Sequence, residues 1–306
     1  MTTRATSRRS WRALWWAVPS AIVVLVVLVF ISRWVRDLPS LAEFFERYPG
    51  ESELPDGAPV GFPAWLAWQH YLNAFFLVLI IRSGWQVRSG KRPIAYWTRR
   101  NRPPFRTKNP PKKIGLTLWM HLALDILWFV NGVVFIVLIF ASGQWMRIVP
   151  TSWDVVPNAL SVLVQYLSLE WPTENGWVNY NSLQLLSYFV IVFVASPIAI
   201  LTGLRMSSFW PRDAVRLNKL YPIEWARALH FPTMLFFVLF VIVHVTLVLA
   251  TGALRNLNHM YAATDGNGWW GLVIFAAGLA VMVGAWFAAS PTIIRAIAAR
   301  TGSVTR

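Results

Sequence analysis

The most regular feature of this sequence is a set of apolar runs separated by polar segments. A helix needs about 20 residues to cross a hydrocarbon core of about 30 Å, and six runs are that long. They cover residues 14–31, 63–81, 114–142, 182–202, 225–249 and 269–289. The pattern predicts an all-α integral membrane protein, a bundle of about six transmembrane helices.

The first run has the charge pattern of either a signal peptide or a true span. Its apolar stretch is longer than a typical signal-peptide core, and no clear small-x-small cleavage site follows. We therefore expect a retained span, with a cleaved leader as the alternative. The basic residues before it are Arg4, Arg8, Arg9 and Arg12.

Composition narrows the chemistry available to such a bundle. Hydrophobic residues make up 56% of the 306 residues and charged residues only 13%, too few to cover an ordinary water-facing surface. Cysteine is absent, which excludes disulfides, thiolate zinc or iron–sulfur sites and covalent c-type haem. A redox cofactor would need other ligands.

The charged residues behind the net charge of +15 are distributed unevenly among the polar segments. Alternate polar segments hold 23 basic and two acidic residues, while the intervening ones hold five basic and ten acidic residues. Lys and Arg mark the cytoplasmic side of a span, so both termini are predicted to be cytoplasmic. Asp125 is left within the membrane.

The most basic loop, residues 82–113, has eleven basic and no acidic residues. Its prolines favour an extended surface segment over a folded DNA-binding module. We expect an orientation signal that contacts anionic lipid, with an acidic partner compatible and nucleic acid disfavoured. The prolines are Pro93, Pro103, Pro104, Pro110 and Pro111.

A shorter helix is predicted in residues 152–169, on the outer side. Its apolar positions recur at helical spacing, which is typical of a helix lying on a membrane surface. They are Trp153, Val156, Leu160, Leu163, Val164 and Leu167.

Four of the five histidines lie inside predicted spans, where a polar side chain is costly and suggests function. His230 and His244 are 14 residues apart on one helix, so they share a face within about 40° and differ in depth by about 21 Å. The predicted topology puts His121 level with His230 near the inner side, and His70 level with His244 near the outer side. Two level pairs result.

Paired neutral imidazoles are common axial ligands of haem iron and leave no open site for oxygen. The four histidines therefore predict two haems, one between His121 and His230 and one between His70 and His244, and the resemblance described next implies that both are noncovalent b haems. Two such haems stacked across the bilayer would form a path for electrons.

The fifth span, with Arg227, His230 and His244, resembles the last core helix of the bacterial dihaem cytochrome b561 and nickel-hydrogenase cytochrome b family. That family includes the gamma subunits of formate dehydrogenase and thiosulfate reductase cytochrome b subunits. His121 with Gly132 resembles its second core helix. The segment with Tyr180, Asn181 and Gln184 resembles the start of the family's third core helix.

This resemblance implies a bacterial inner-membrane protein with bis-histidine haem at the four positions. It implies that quinone or quinol exchanges electrons near one haem, and that a catalytic oxidoreductase subunit, of molybdopterin or hydrogenase type, docks near the other. The leading span is extra to the four-helix form of the family. With both termini inside, it reverses the membrane orientation of the four ligand-bearing core helices relative to that form. Two related dihaem families fit less well, namely cytochrome b of bc complexes and the ferric reductases. They carry two histidines on each of two helices, whereas in this sequence only one predicted span carries two.

Three further residues have open roles at this stage. Asp125 follows His121 by one helical turn. It is either a proton relay or quinone contact, or a group that orients the ligand by a hydrogen bond to an imidazole or to a neighbouring helix. Arg227 is either a partner of haem propionates or an ordinary topogenic arginine. His259 has no partner at matching depth and is expected at the surface.

The predicted organisation is an N-terminus with an extra span (1–35), an outer acidic segment (36–62), a dihaem core (63–252), and an outer loop, last span and cytoplasmic tail (253–306). The predicted function is electron transfer between quinone and a partner oxidoreductase. The alternatives are a histidine-bearing secondary transporter, for which no inverted repeat is seen, and a cofactor-free membrane anchor.

Overall fold

The computed structural model describes residues 5–90, 92–103, 106–107, 110–171, 175–211 and 213–306. Arg4 and Pro104 lie outside the described residues. Six helices in the described chain are long and apolar enough to cross a membrane, which confirms the predicted number of spans. These spans are Trp15–Arg36, Ala64–Ser89, Leu116–Ala141, Ser182–Met206, Ile223–Ala250 and Trp270–Ala288.

The helices extend beyond several predicted ends because polar residues continue the same backbone geometry past the apolar runs. In chain order they are α1 (Ala5–Arg36), α2 (Ala42–Arg47), α3 (Ala64–Ser89), α4 (Leu116–Ala141), α5 (Val155–Leu167), α6 (Ser182–Phe189), α7 (Ser196–Met206), α8 (Val215–Leu220), α9 (Ile223–Ala250), α10 (Ala253–Leu257), α11 (Trp270–Ala288) and α12 (Pro291–Thr301). Short 3₁₀ turns cover Pro39–Leu41 and Gln144–Arg147.

Backbone contacts divide the chain into two units, Met1–Ala58 with Met146–Phe189, and Pro59–Trp145 with Val190–Arg306. In the second unit, α3 packs along α4 and α7 packs along α9. Those two helix pairs provide the frame for the histidines.

Three prolines lie within the described spans, namely Pro19 in α1, Pro197 in α7 and Pro232 in α9. A π-helical segment, Val190–Ala195, joins α6 to α7 and ends just before Pro197. A π-turn changes the hydrogen-bond ladder locally and so accommodates the proline, which lacks a backbone donor. Pro232 lies inside α9, which continues as helix through Ala250.

The basic segment between the second and third spans is partly folded, unlike the extended segment predicted. Its first residues, through Ser89, belong to α3. Two strands follow, β1 (Tyr96–Arg99) and β2 (Lys113–Gly115), and the chain end adds β3 (Gly302–Thr305) in the antiparallel order β2-β1-β3. The sequence did not predict this sheet because its strands are short and distant in the chain.

A small apolar cluster holds this sheet against α12 and the start of α4. Ala95, Leu116 and Ala298 are buried at its centre. The indole nitrogen of Trp97 donates to the Ala298 carbonyl over 3.1 Å. These contacts tie the chain end to the basic segment.

In the first unit, α5 confirms the predicted short helix. Its packed face carries small residues, including Asn158, Ala159 and Val162, whereas Val156 and Leu160 on the apolar face are exposed. The Asn158 side chain accepts a hydrogen bond from the Gly50 amide over 2.9 Å.

The start of α6 is fixed by a reciprocal cap. The Asn181 side chain accepts from the Gln184 amide over 2.8 Å, and the Gln184 side chain accepts from the Asn181 amide over 3.2 Å. Such a capping box satisfies two backbone donors that a helix start leaves open. Asn181 also donates to the Tyr166 hydroxyl over 2.7 Å. These two family-like positions therefore have a structural role.

Candidate functional site

The four intramembrane histidines lie on three helices of one unit. His70 is on α3, His121 on α4, and His230 and His244 on α9. The ring centres of His70 and His244 are 6.2 Å apart, and those of His121 and His230 are 6.4 Å apart. The structure thus brings the rings together in the same two pairs that the predicted topology groups by depth.

Both ring separations suit a metal held between two imidazoles. An imidazole nitrogen binds a transition metal at about 2 Å, and its ring centre lies about 1 Å further back. Two such ligands on opposite sides of one ion therefore place their ring centres about 6 Å apart. Neutral imidazole also suits iron among the divalent metals. The donor set and spacing fit one haem iron per pair.

The rings of His121 and His230 each contact a hydroxyl that sequence reasoning missed. Ser83 Oγ lies 3.0 Å from His121 Nδ1, and Thr202 Oγ1 lies 2.8 Å from His230 Nδ1. Both hydroxyl residues are completely or almost completely buried. A signal for them exists in the sequence, since each directly precedes a glycine near the same end of a span as these histidines.

Aromatic rings surround the other pair. The Tyr261 ring meets His70 edge-on, with 5.9 Å between ring centres. Phe240 stacks on His244 at 5.5 Å with an interplanar angle of 7°. The Nδ1 atom of His70 is buried and has no hydrogen-bond partner among the described residues. The Nδ1 atom of His70 therefore differs from the Nδ1 atoms of His121 and His230, each of which faces a hydroxyl.

Asp125 does not orient the His121 ring by a hydrogen bond. Its Oδ2 atom lies 3.7 Å from His121 Nε2, which is beyond hydrogen-bond distance, and the opposite ring nitrogen faces Ser83. The carboxylate is on the side of the ring where a metal would bind. Arg227 is exposed at the start of α9.

The prediction for His259 was wrong, because this side chain is buried. Only 2% of the residue is exposed, and its Nε2 atom lies 2.7 Å from Asp265 Oδ1. A π-helical segment, Asn258–Ala262, turns the ring towards Phe62. No local pattern in the polar loop predicts this turn.

The contact explains the ionisation of Asp265. The hydrogen bond with His259 is the largest cause that lowers the pKa of the Asp265 carboxyl, and Arg255 lowers it further. Burial and the nearby Tyr71 raise the pKa of Tyr261 to about 12, so this phenol stays protonated. Charge and hydrogen bonds thus hold His259, Asp265 and Arg255 together.

Comparison with known families identifies the protein. Residues 61–263 match the family described as prokaryotic cytochrome b561. The chain belongs to this family. The matched range contains all four intramembrane histidines and both hydroxyl residues that contact them.

A curated relative agrees with this assignment. Over 195 residues, covering 61% of this chain and 88% of the relative, the chain is 29% identical to the putative protein-methionine-sulfoxide reductase subunit YedZ1 of Azospira oryzae. No solved structure matches the chain.

Membership has direct consequences for the six-span bundle. The chain is a multi-pass bacterial membrane protein and a b-type haem protein of an electron-transfer family.

Proposed function

We propose that this protein is a dihaem cytochrome b that carries electrons between the membrane quinone pool and a partner oxidoreductase subunit. His121 and His230 would hold one b haem, and His70 and His244 the other. The observation that carries the proposal is the presence of two facing histidine pairs, at 6.4 and 6.2 Å, in one bundle.

The positions of the ligands on helices support electron transfer over chemistry on bound substrates. Two histidines would hold each b haem, and the bound haem would supply reversible one-electron iron chemistry. The helix α3 packs along α4, and α7 packs along α9, so each histidine is held on a helix with a packed neighbour and needs little movement between oxidation states.

The proposal includes partners for both ends of the electron path. The reductase subunit in the name of the Azospira oryzae relative supports a role as the membrane subunit of a reductase. We propose that the catalytic subunit is of molybdopterin or hydrogenase type. The molecule that exchanges electrons with the cytochrome in the membrane would be quinone or quinol. Charge sorting supports cytoplasmic termini and contact of the basic segment with anionic lipid.

The first experiment is a reduced-minus-oxidised spectrum and haem quantification on purified protein. We expect two b haems per chain. Each single substitution His70→Ala, His121→Ala, His230→Ala and His244→Ala should lower the haem content towards one per chain. The change should affect the same spectral component within a pair and different components between pairs.

His259→Ala is the matched control, because this histidine is also buried but belongs to neither pair. It should keep both haems. A transporter or a cofactor-free anchor would yield folded protein without haem, and that result would contradict the proposal. Reduction of the purified protein by a quinol analogue then tests the quinone assignment separately.

A further inference from the structure

The two histidines of one pair are supported by the same local arrangement on two different helices. Ser83–Gly84 on α3 contacts His121 on the neighbouring α4. Thr202–Gly203 on α7 contacts His230 on the neighbouring α9. We call these segments the hydroxyl–glycine dipeptides.

Each hydroxyl has a second contact that fixes its donor role. Ser83 Oγ donates to the Ile80 carbonyl over 3.0 Å. Thr202 Oγ1 lies 2.6 Å from the Ile198 carbonyl oxygen. A hydroxyl has one proton to donate, so its oxygen is left to accept from the histidine ring.

The ring nitrogen that faces each hydroxyl must therefore carry the proton. His121 and His230 would each be neutral, with Nδ1–H donating to the hydroxyl and the lone pair on Nε2 available for a metal. The hydrogen bond of one ring nitrogen selects which nitrogen binds metal. The arrangement predisposes both rings to bind through Nε2.

The glycines allow the rings to approach the helices closely. A Cβ atom at Gly84 would lie 3.1 Å from Cε1 of His121, which is tighter than ordinary contact. At Gly203 the corresponding distance to Cε1 of His230 is 3.5 Å, an ordinary van der Waals contact. Space is therefore more restricted at Gly84.

We infer that Ser83 and Thr202 are positioning residues that select the Nε2-binding form of His121 and His230 and lower the midpoint potential of the haem held by that pair. This inference rests on the proposed function. An Nδ1–H···O bond makes the imidazole more basic, and a more basic axial ligand favours the oxidised iron. Second-shell hydrogen bonding is one of the ways in which a protein sets haem potential.

The test is a spectroelectrochemical titration of the purified full-length protein and of Ser83→Ala and Thr202→Ala. The haem that depends on His121 and His230 is identified first from the histidine variants. We expect its midpoint potential to rise in each alanine variant and to rise further in the double variant. The potential of the other haem should not change.

Conservative variants separate positioning from packing. Ser83→Thr and Thr202→Ser retain the hydroxyl and should keep the original potential and low-spin ferric spectrum. If an alanine variant loses the haem, retention in its conservative partner supports the inference. Loss in both variants of a position overturns it, because packing alone would then explain the effect.

Ser89→Ala and Thr233→Ala are the matched controls. Their hydroxyls donate to the Trp85 and Leu229 carbonyls on the same two helices, α3 and α9, that carry Ser83 and His230. Neither control should change a potential. An unchanged potential in Ser83→Ala and Thr202→Ala, with both haems present, overturns the inference but leaves the proposed function intact. Absence of haem from the unsubstituted protein refutes both.

Discussion

The ring centres of His70 and His244 lie 6.2 Å apart, although one residue is on α3 and the other near the end of α9. The ring centres of His121 and His230 are separated by 6.4 Å. Because His230 and His244, the two histidines on α9, are 14 residues apart, the pairs differ in depth by about 21 Å. One long helix thus supplies a ligand candidate to each of two sites.

The two glycines of the hydroxyl–glycine dipeptides should differ in their tolerance of a methyl group. Gly203→Ala should retain both haems, because its Cβ would make an ordinary contact with His230. Gly84→Ala should weaken binding of the haem that depends on His121, since its Cβ would crowd that ring. Haem quantification distinguishes them, and greater loss in Gly203→Ala would contradict the geometry.

Asp125→Asn should keep both haems. The Asp125 carboxylate lies 3.7 Å from His121 Nε2 and does not hold the ring, whereas Ser83 contacts Nδ1. Retention of the His121-dependent spectral component would agree with this arrangement. Loss of that component would show that Asp125 is needed for ligand geometry.

The Asn181 cap should contribute measurably to stability. Asn181→Ala removes the side-chain bond to the Gln184 amide and the bond to the Tyr166 hydroxyl. Loss of a helix cap costs about 1 kcal/mol, so the thermal unfolding midpoint should fall. Val178→Ala, at a nearby exposed side chain, serves as the control, and an unchanged midpoint in Asn181→Ala would argue against the cap.

The segment around His259 should loosen in acid. Hydrogen bonding to His259 and charge from Arg255 lower the pKa of Asp265 below its ordinary value of 3.8. A lowered pKa means that the ionised form contributes stability above the ordinary pKa and that this contribution is lost as pH falls through the lowered one. Hydrogen exchange in Asn258–Ala262, corrected for its intrinsic rate, should therefore accelerate below pH 3.8.

Asp265→Asn is the comparison for that experiment. It removes the titrating charge, so exchange in this segment should be faster at neutral pH and should depend less on acid. A variant with the same acid dependence as the unsubstituted protein would show that another group controls the loop.

Hydropathy was sufficient to predict the membrane bundle, because lipid requires long helices with satisfied backbone groups. Charge sorting then ordered His70, His121, His230 and His244 by depth, and the structure brings their rings together in the same two groups. Both signals are properties of single segments. They can therefore be read without knowledge of tertiary contacts.

The features that sequence reasoning missed depend on contacts between distant segments. Serine and threonine within helices commonly bond to their own backbone, so the glycine after Ser83 and after Thr202 is a weak signal that these hydroxyls also face a ring. The sheet joins Tyr96–Arg99 to Gly302–Thr305, a pairing that no local pattern indicates. Burial of His259 depends on a π-helical turn that the polar loop did not predict.

The most direct test of the two-haem assignment is a comparison of double histidine variants by haem quantification. His121→Ala/His230→Ala and His70→Ala/His244→Ala each disable one pair, so each should retain one b haem per folded chain. His70→Ala/His121→Ala disables one ligand of each pair and should retain none. Loss of both haems from a folded same-pair variant, or retention of one full haem by the cross-pair variant, would contradict the account.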